Sequence, residues 1–158
     1  MHDPIYSEAD YVAIVNQQKK RWLLIALPCI PLLIVLLVGL FCRVEWLTTV
    51  STIIIGVILI AGYDLAIKPL HCYEVHLYNS LHGRSRECEL PFIRLSENID
   101  LVDGVRFHQL LCKDMDAKGR PYERLFYFDV EKTFPDVKEG DMIHIVHHDL
   151  NVADMYLV

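Results

Sequence analysis

The sequence predicts a membrane protein of mixed α and β class: a two-helix transmembrane hairpin, a short helix, then a small antiparallel five-stranded β-barrel. Three observations predict it. Trp22 to Ile67 is made of two apolar blocks separated by the polar break Cys42-Arg43-Val44-Glu45. Each block holds about 21 residues, which at a rise of about 1.5 Å spans roughly 30 Å, the thickness of bilayer hydrocarbon. From Arg84 onward the texture changes to short alternating runs bounded by turn residues, the pattern of half-buried strands.

The first helix is expected over residues 22–42 and the second over 46–67. No charged residue interrupts Trp22 to Phe41. A secretory signal would want a small-residue cleavage site after the apolar run; none follows, so the block is expected to stay in the mature chain. Residues 1–7 are expected to be loose. Ser7-Glu8-Ala9-Asp10 has the form of a capping box, in which a serine hydroxyl accepts from the amides freed at a helix start. The stretch up to residue 21 either lies amphipathically on the membrane surface or extends the first span.

Orientation follows from the flanks. Lys19, Lys20, Arg21 and Lys68 flank the outer ends of the hairpin, whereas the turn has Arg43 alone, beside Glu45. Excess basic flanks face the cytoplasm, so both termini are expected there. Trp22, Trp46 and Tyr63 fall near the span ends, where amphipathic rings favour the headgroup level. Asp64 precedes Lys68 by four residues, the spacing of a helical ion pair. Pro28 and Pro31 remove backbone donors and are expected to kink the first span. Thr48, Thr52 and Gly56 recur every four residues, with Gly39 near the same depth. Such small-residue stripes allow close helix approach, within the hairpin or with a second membrane protein or copy.

Pro69 fits a helix start and Gly83 a helix stop, so residues 68–83 read as a connecting helix. The barrel then occupies residues 84–158, with strands expected at 85–95, 105–112, 122–130, 142–148 and 153–158. Five strands at this spacing with no long helix between them suggest an OB-like or SH3-like barrel. Membrane helices followed by a small barrel resemble the arrangement of NfeD-type proteins, which implies an OB-like barrel and association with membrane scaffold proteins.

The chain carries 15 basic and 21 acidic side chains, a net charge of −6. Basic and acidic residues balance before His71, so the excess falls on residues 72–158. An acidic domain is repelled by phosphate backbones, which argues against nucleic acid as a partner. The five cysteines, Cys29, Cys42, Cys72, Cys88 and Cys112, form no C-x-x-C pair, and unpaired thiols suit the cytosol.

The densest cluster of metal-ligand types is His144, His147, His148 and Asp149. On a strand His144 and His148 face one way and His147 the other, so three ligands converge only around a bend. Surface or turn histidines are the plainer reading. Asp114 to Gly119 opens like a calcium loop, but Lys118 takes a ligand position and Leu125 stands where a bidentate glutamate is required. His108 and Cys112 would lie about 13 Å apart on one strand, too far for a thiolate–imidazole pair. No catalytic constellation and no cofactor motif is legible. The expected function is therefore a membrane-anchored, non-enzymatic protein whose cytosolic barrel mediates protein–protein interaction or assembly. Its partners would be the lipid bilayer and another membrane protein or a second copy. The alternatives are an accessory subunit of a membrane transporter or protease complex, and a membrane-tethered metal-dependent hydrolase.

Overall fold

The computed structural model describes residues 4–158. The chain divides into two compact units. One is Val12–Cys72; the other joins the described residues up to Tyr11 to Tyr73–Val158. The expected N-terminal segment and connecting helix are thus each divided, only residues up to Tyr11 and from Tyr73 onward clustering with the barrel. Of residues 1–7, expected to be loose, 1–3 lie outside the described residues. Tyr6 is buried, at 4% exposure.

The Val12–Cys72 unit is built from α1 (Glu8–Phe41) and α2 (Glu45–Gly62), two helices long and apolar enough to cross a membrane. The helix that begins at Glu8 continues into the first apolar block, passing Pro28 and Pro31. Ser7 Oγ accepts from the Asp10 amide at 3.3 Å and Asp10 Oδ2 accepts from the Ser7 amide at 3.1 Å, the reciprocal cap expected there. At the other end the Val44 amide donates to Gly39 O (2.9 Å) and the Arg43 amide to Leu40 O (3.3 Å). This is the helix-ending pattern in which the penultimate turn residue is left-handed, and Arg43 takes φ 56°.

After α2 comes a π-helical turn, Tyr63–Ile67, and then α3 (Lys68–His82), with no break between them. The short helix expected over residues 68–83 is present as α3, entered from the π turn through Pro69. Its ring would press on the carbonyl of Leu65 in a regular α-helix and it donates no hydrogen bond. The wider turn, in which the Lys68 amide reaches back to Tyr63 O, relieves that conflict. Gly83 does end α3, its amide donating to Asn79 O at 2.8 Å.

The barrel has strands β1 (Arg86–Val102), β2 (Val105–Met115), β3 (Pro121–Asp129), β4 (Met142–His148) and β5 (Asn151–Leu157). They close in the order β1-β2-β3-β5-β4. The expectation of a wholly antiparallel barrel is corrected here: β3 and β5 run parallel, paired at Tyr127 and Asn151. The reason is arithmetic, since five strands in a ring cannot alternate direction at every neighbour. β1 is also longer than expected. Residues 86–91 pair with β4 and residues 92–102 with β2, and irregular register at Phe92/Arg94 and Leu95/Ile99 bends it from one partner to the other. Its turn is Asp103-Gly104, both at positive φ.

The barrel is filled rather than hollow. Leu90, Phe92, Leu110, Cys112, Phe126, Phe128, Ile143, Ile145, Val152 and Met155 form its core. Each buried phenylalanine contributes about 1.5–3 kcal/mol. Phe134, from the loop between β3 and β4, packs on Phe92 and Phe128 and closes one end.

Candidate functional site

The last residue of β3 places a carboxyl group where the strand meets two other segments. Asp129 is buried, at 1% exposure. Its Oδ1 accepts from the Glu131 amide at 2.9 Å, and its Oδ2 accepts from two phenols, Tyr73 at 2.7 Å and Tyr6 at 3.2 Å. Tyr73 comes from α3 and Tyr6 from the strap that precedes α1. A buried carboxyl group is tolerable only with such donors.

His76, one turn along α3 from Tyr73, completes the site. Its Nε2 lies 2.9 Å from the Tyr6 hydroxyl. The Tyr6 proton goes to Asp129, which assigns the imidazole as Nε2–H donor to the phenol oxygen. The ring stands edge-on to Phe107 (centroids 5.0 Å) and to Tyr6 (5.4 Å). Lys132 Nζ lies 5.2 Å from the centre of the Tyr6 ring and pairs with Asp10 at 2.8 Å.

These contacts move the titrations. Burial, followed by the charge of Asp129, drives the Tyr6 phenol well above its ordinary range. Burial and the hydrogen bond to Asp129 do the same for Tyr73. Burial holds the His76 imidazole below its usual value, only partly opposed by Asp129. The hydrogen bond from Lys132 holds Asp10 below the usual carboxylate range. The site therefore keeps both phenols protonated and the imidazole neutral at pH 7.

A second polar layer lies between β2, β3 and β4. Asp114 Oδ2 accepts from Arg124 and from Tyr122, each at 3.0 Å. Burial works against ionisation of Asp114, but the Met115 amide and these two donors hold its carboxyl low. Arg124 lies over the Phe126 ring at 5.0 Å and reaches His147 Nε2 at 3.5 Å. His147 Nδ1 bonds the Asp149 carbonyl, and burial pushes the ring's pKa down. Burial pushes the Cys112 thiol up to about 12 and raises Cys88 as well. Neither thiol is an activated nucleophile.

The residues singled out as metal ligands are used separately. His144 stacks on Tyr156 (centroids 4.6 Å) and faces Glu87 at 3.5 Å. His148 Nδ1 bonds the Arg84 carbonyl at 3.1 Å, and its Nε2 lies 3.8 Å from Asp149. Among the described residues no group of three or more His, Cys, Asp or Glu side chains is placed to hold a metal ion.

The small-residue stripe divides. A Cβ on Gly39 would meet Thr48 Cγ2 at 3.0 Å, so this pair marks close approach within the hairpin. Thr52 turns its hydroxyl back to Thr48 O at 2.8 Å, and a Cβ on Gly56 would meet nothing within 4 Å. Gly62 approaches Ile25 as closely as Gly39 does Thr48, and Ser51 is the buried position of α2. At the opposite end from the turn, Trp22 and Tyr63 rings lie 6.3 Å apart and Arg21 donates to Ala66 O at 3.1 Å. Lys68 faces Asp64 at 3.9 Å. Lys19 and Lys20 are exposed, as is Trp46 beside the turn.

Tyr6, Tyr73, His76 and Asp129 were not legible as a group. The one local sign was Tyr73 and His76 at i and i+3 with Leu77 beside them, a helix face too polar for a plain core. No known protein family, curated protein or solved structure matches this chain. The NfeD-type arrangement thus gains no support from comparison.

Proposed function

We propose that this is a membrane-anchored, non-enzymatic protein whose cytosolic barrel binds another protein or a second copy. The observation that carries the reading is the filled barrel on a chain with two apolar helices. Its interior is occupied by its own side chains, so recognition falls to the surface, where Ile99, Leu101, Met115 and Tyr122 are exposed. Isolated surface apolar residues are ordinary, but an anchored domain meets its partners at raised local concentration and needs little area to hold them.

The basic flanks Lys19, Lys20, Arg21 and Lys68 favour a hairpin with both termini cytoplasmic. The strand order, with β1 shared between β2 and β4 and a parallel β3–β5 seam, supports an OB-like rather than an SH3-like barrel. The open space around Gly56 leaves room for the accessory-subunit alternative.

Detergent extraction of the tagged chain from its native membrane, with identification of co-purifying proteins, tests the reading. A partner retained by the intact chain and lost when Ile99 and Leu101 are changed to serine is expected. Retention that depends instead on Thr52 and Gly56 would transfer the binding role to the helices. A stoichiometric metal lost on His147→Ala would favour the hydrolase.

A further inference from the structure

Residues 5–10 meet the rest of their unit as a docked peptide does. Ile5 packs against the barrel core, and its amide lies 3.4 Å from Asp154 Oδ1. Tyr6 enters the pocket of Asp129 and His76. Asp10 lands on Lys132, and Glu8 faces His82 at 3.2 Å. Each strap residue reads a group of matching chemistry: apolar on apolar, phenol on carboxyl and imidazole, acid on ammonium. Besides the strap, Asp129 has two donors from the receiving side, the Tyr73 phenol and the Glu131 amide. With the strap withdrawn, Asp129 Oδ2 and His76 Nε2 would both lack the phenol that joins them. A phenylalanine ring would fill the space and satisfy neither atom.

We propose that Asp129, His76 and Lys132 form a peptide-recognition site for a partner segment that carries a tyrosine with a carboxylate four residues on, and that Tyr6 and Asp10 occupy it as an intramolecular surrogate. The inference rests on the assembly reading and names the chemistry of the partner. The ion pair sets the direction of the bound segment, because the Lys132 ammonium lies over the phenol ring and meets the acid four residues after it. Ser7 adds a further requirement: the segment begins a helix immediately after its tyrosine. Recognition of this kind discriminates by what is left unpaired when the wrong residue enters.

The test uses the full chain in detergent micelles and a fluorescein-labelled peptide of residues 4–15. Saturable binding is expected to chains carrying Tyr6→Ala, at least tenfold tighter than to the unmodified chain. Asp10→Lys, which breaks the ion pair but keeps the phenol in place, provides a second strap-weakened form. Adding Lys132→Glu should cost tenfold or more in peptide binding, and a peptide carrying Asp10→Lys should restore it. A peptide carrying Tyr6→Phe should bind about tenfold more weakly. Equal binding to strap-intact and strap-weakened chains, or indifference to Lys132→Glu, overturns the proposal. A partner co-purified from membranes with no peptide binding sinks this inference and leaves the assembly reading standing. Peptide binding without a membrane partner does the reverse.

Discussion

The Tyr6 hydroxyl and Asp129 Oδ2 lie 3.2 Å apart across 123 residues of sequence. That one bond ties the strap before α1 to the end of the third strand. Tyr73, 56 residues before Asp129, reaches the same oxygen at 2.7 Å.

Removing either phenol leaves a buried acceptor short of a partner. Tyr6→Phe and Tyr73→Phe are each expected to destabilise the barrel unit by about 1–3 kcal/mol, without any change in packed volume. Thermal unfolding in detergent, followed by intrinsic fluorescence, measures this. Because both phenols serve one oxygen, the double variant should differ from the sum of the singles. Strict additivity would show that Asp129 is not their common acceptor.

Acidification should loosen the fold in a defined window. Burial holds His76 and His147 below the ordinary imidazole value of 6.5, so the unfolded chain takes up their protons first. Stability is then full well above pH 6.5 and falls as pH drops through 6.5 toward the lower folded values. Asp10 and Asp114, held low in the folded state, act in the same sense but at lower pH. Their stabilisation persists through this window and is lost only as pH falls through the carboxylate range. Unfolding midpoints measured from pH 8 to 5 should decline, and His76→Gln together with His147→Asn should flatten the decline.

Gly83 and Gly56 should respond oppositely to alanine. A Cβ at Gly83 would lie 2.2 Å from the Asn79 carbonyl oxygen and 2.7 Å from His148 Nδ1. Backbone must move to admit it, and a cost of about 1–3 kcal/mol or more is expected. Gly56 has open space in the middle of α2, so alanine there should gain up to about 1 kcal/mol in helix propensity. Loss of a co-purifying partner on Gly56→Ala, with stability raised, would mark that face as occupied in the membrane.

Arg43 sits left-handed at φ 56° at the end of α1, a conformation that disfavours a branched Cβ. Arg43→Ile should lower the unfolding midpoint by the equivalent of about 1–2 kcal/mol, and Arg43→Gly should be neutral or stabilising. Equal effects of the two substitutions would mean that charge, not backbone shape, governs the turn.

Thiol labelling tests both topology and burial. Cys42 is exposed beside the hairpin turn, whereas Cys112 is buried with its thiol raised to about 12. A membrane-impermeant maleimide should modify Cys42 from the face opposite the termini, in a variant retaining that cysteine alone. In detergent, Cys112 should react only after unfolding. Labelling of Cys42 from the cytoplasmic side would overturn the proposed orientation.

Much of the architecture was legible because it is written in local periodicity. Uninterrupted apolar runs marked α1 and α2, and alternation marked the strands; Met142 to His148 was placed to the residue. Local signals misled where a tertiary constraint outweighed them. Glu97 to Gly104 reads as a turn-rich break, yet β2 holds its residues Ile99 to Val102 as strand, in register. Pro69 reads as a helix start and α3 does begin at Lys68, yet a π turn joins it to α2 without a break. The Asp129 site had no local signature beyond the polar pair Tyr73 and His76 on α3. Its members come from a strap, a helix and a strand end, each unremarkable alone, and only the closed fold brings them together. His147 stood out by composition, but its role depends on the Asp149 carbonyl two residues on and on Arg124, which comes from β3.

A ring of five strands must contain one seam where two neighbours run the same way. Here that seam is pinned by Tyr127 against Asn151, with the Tyr127 amide on Leu150 O at 2.8 Å. The barrel is in effect a rolled sheet fastened by a single stitch. Unrolling starts at this hem, where undoing little backbone bonding frees two strand borders at once. Deuterium uptake at the Tyr127 amide is accordingly the most direct clock for that motion.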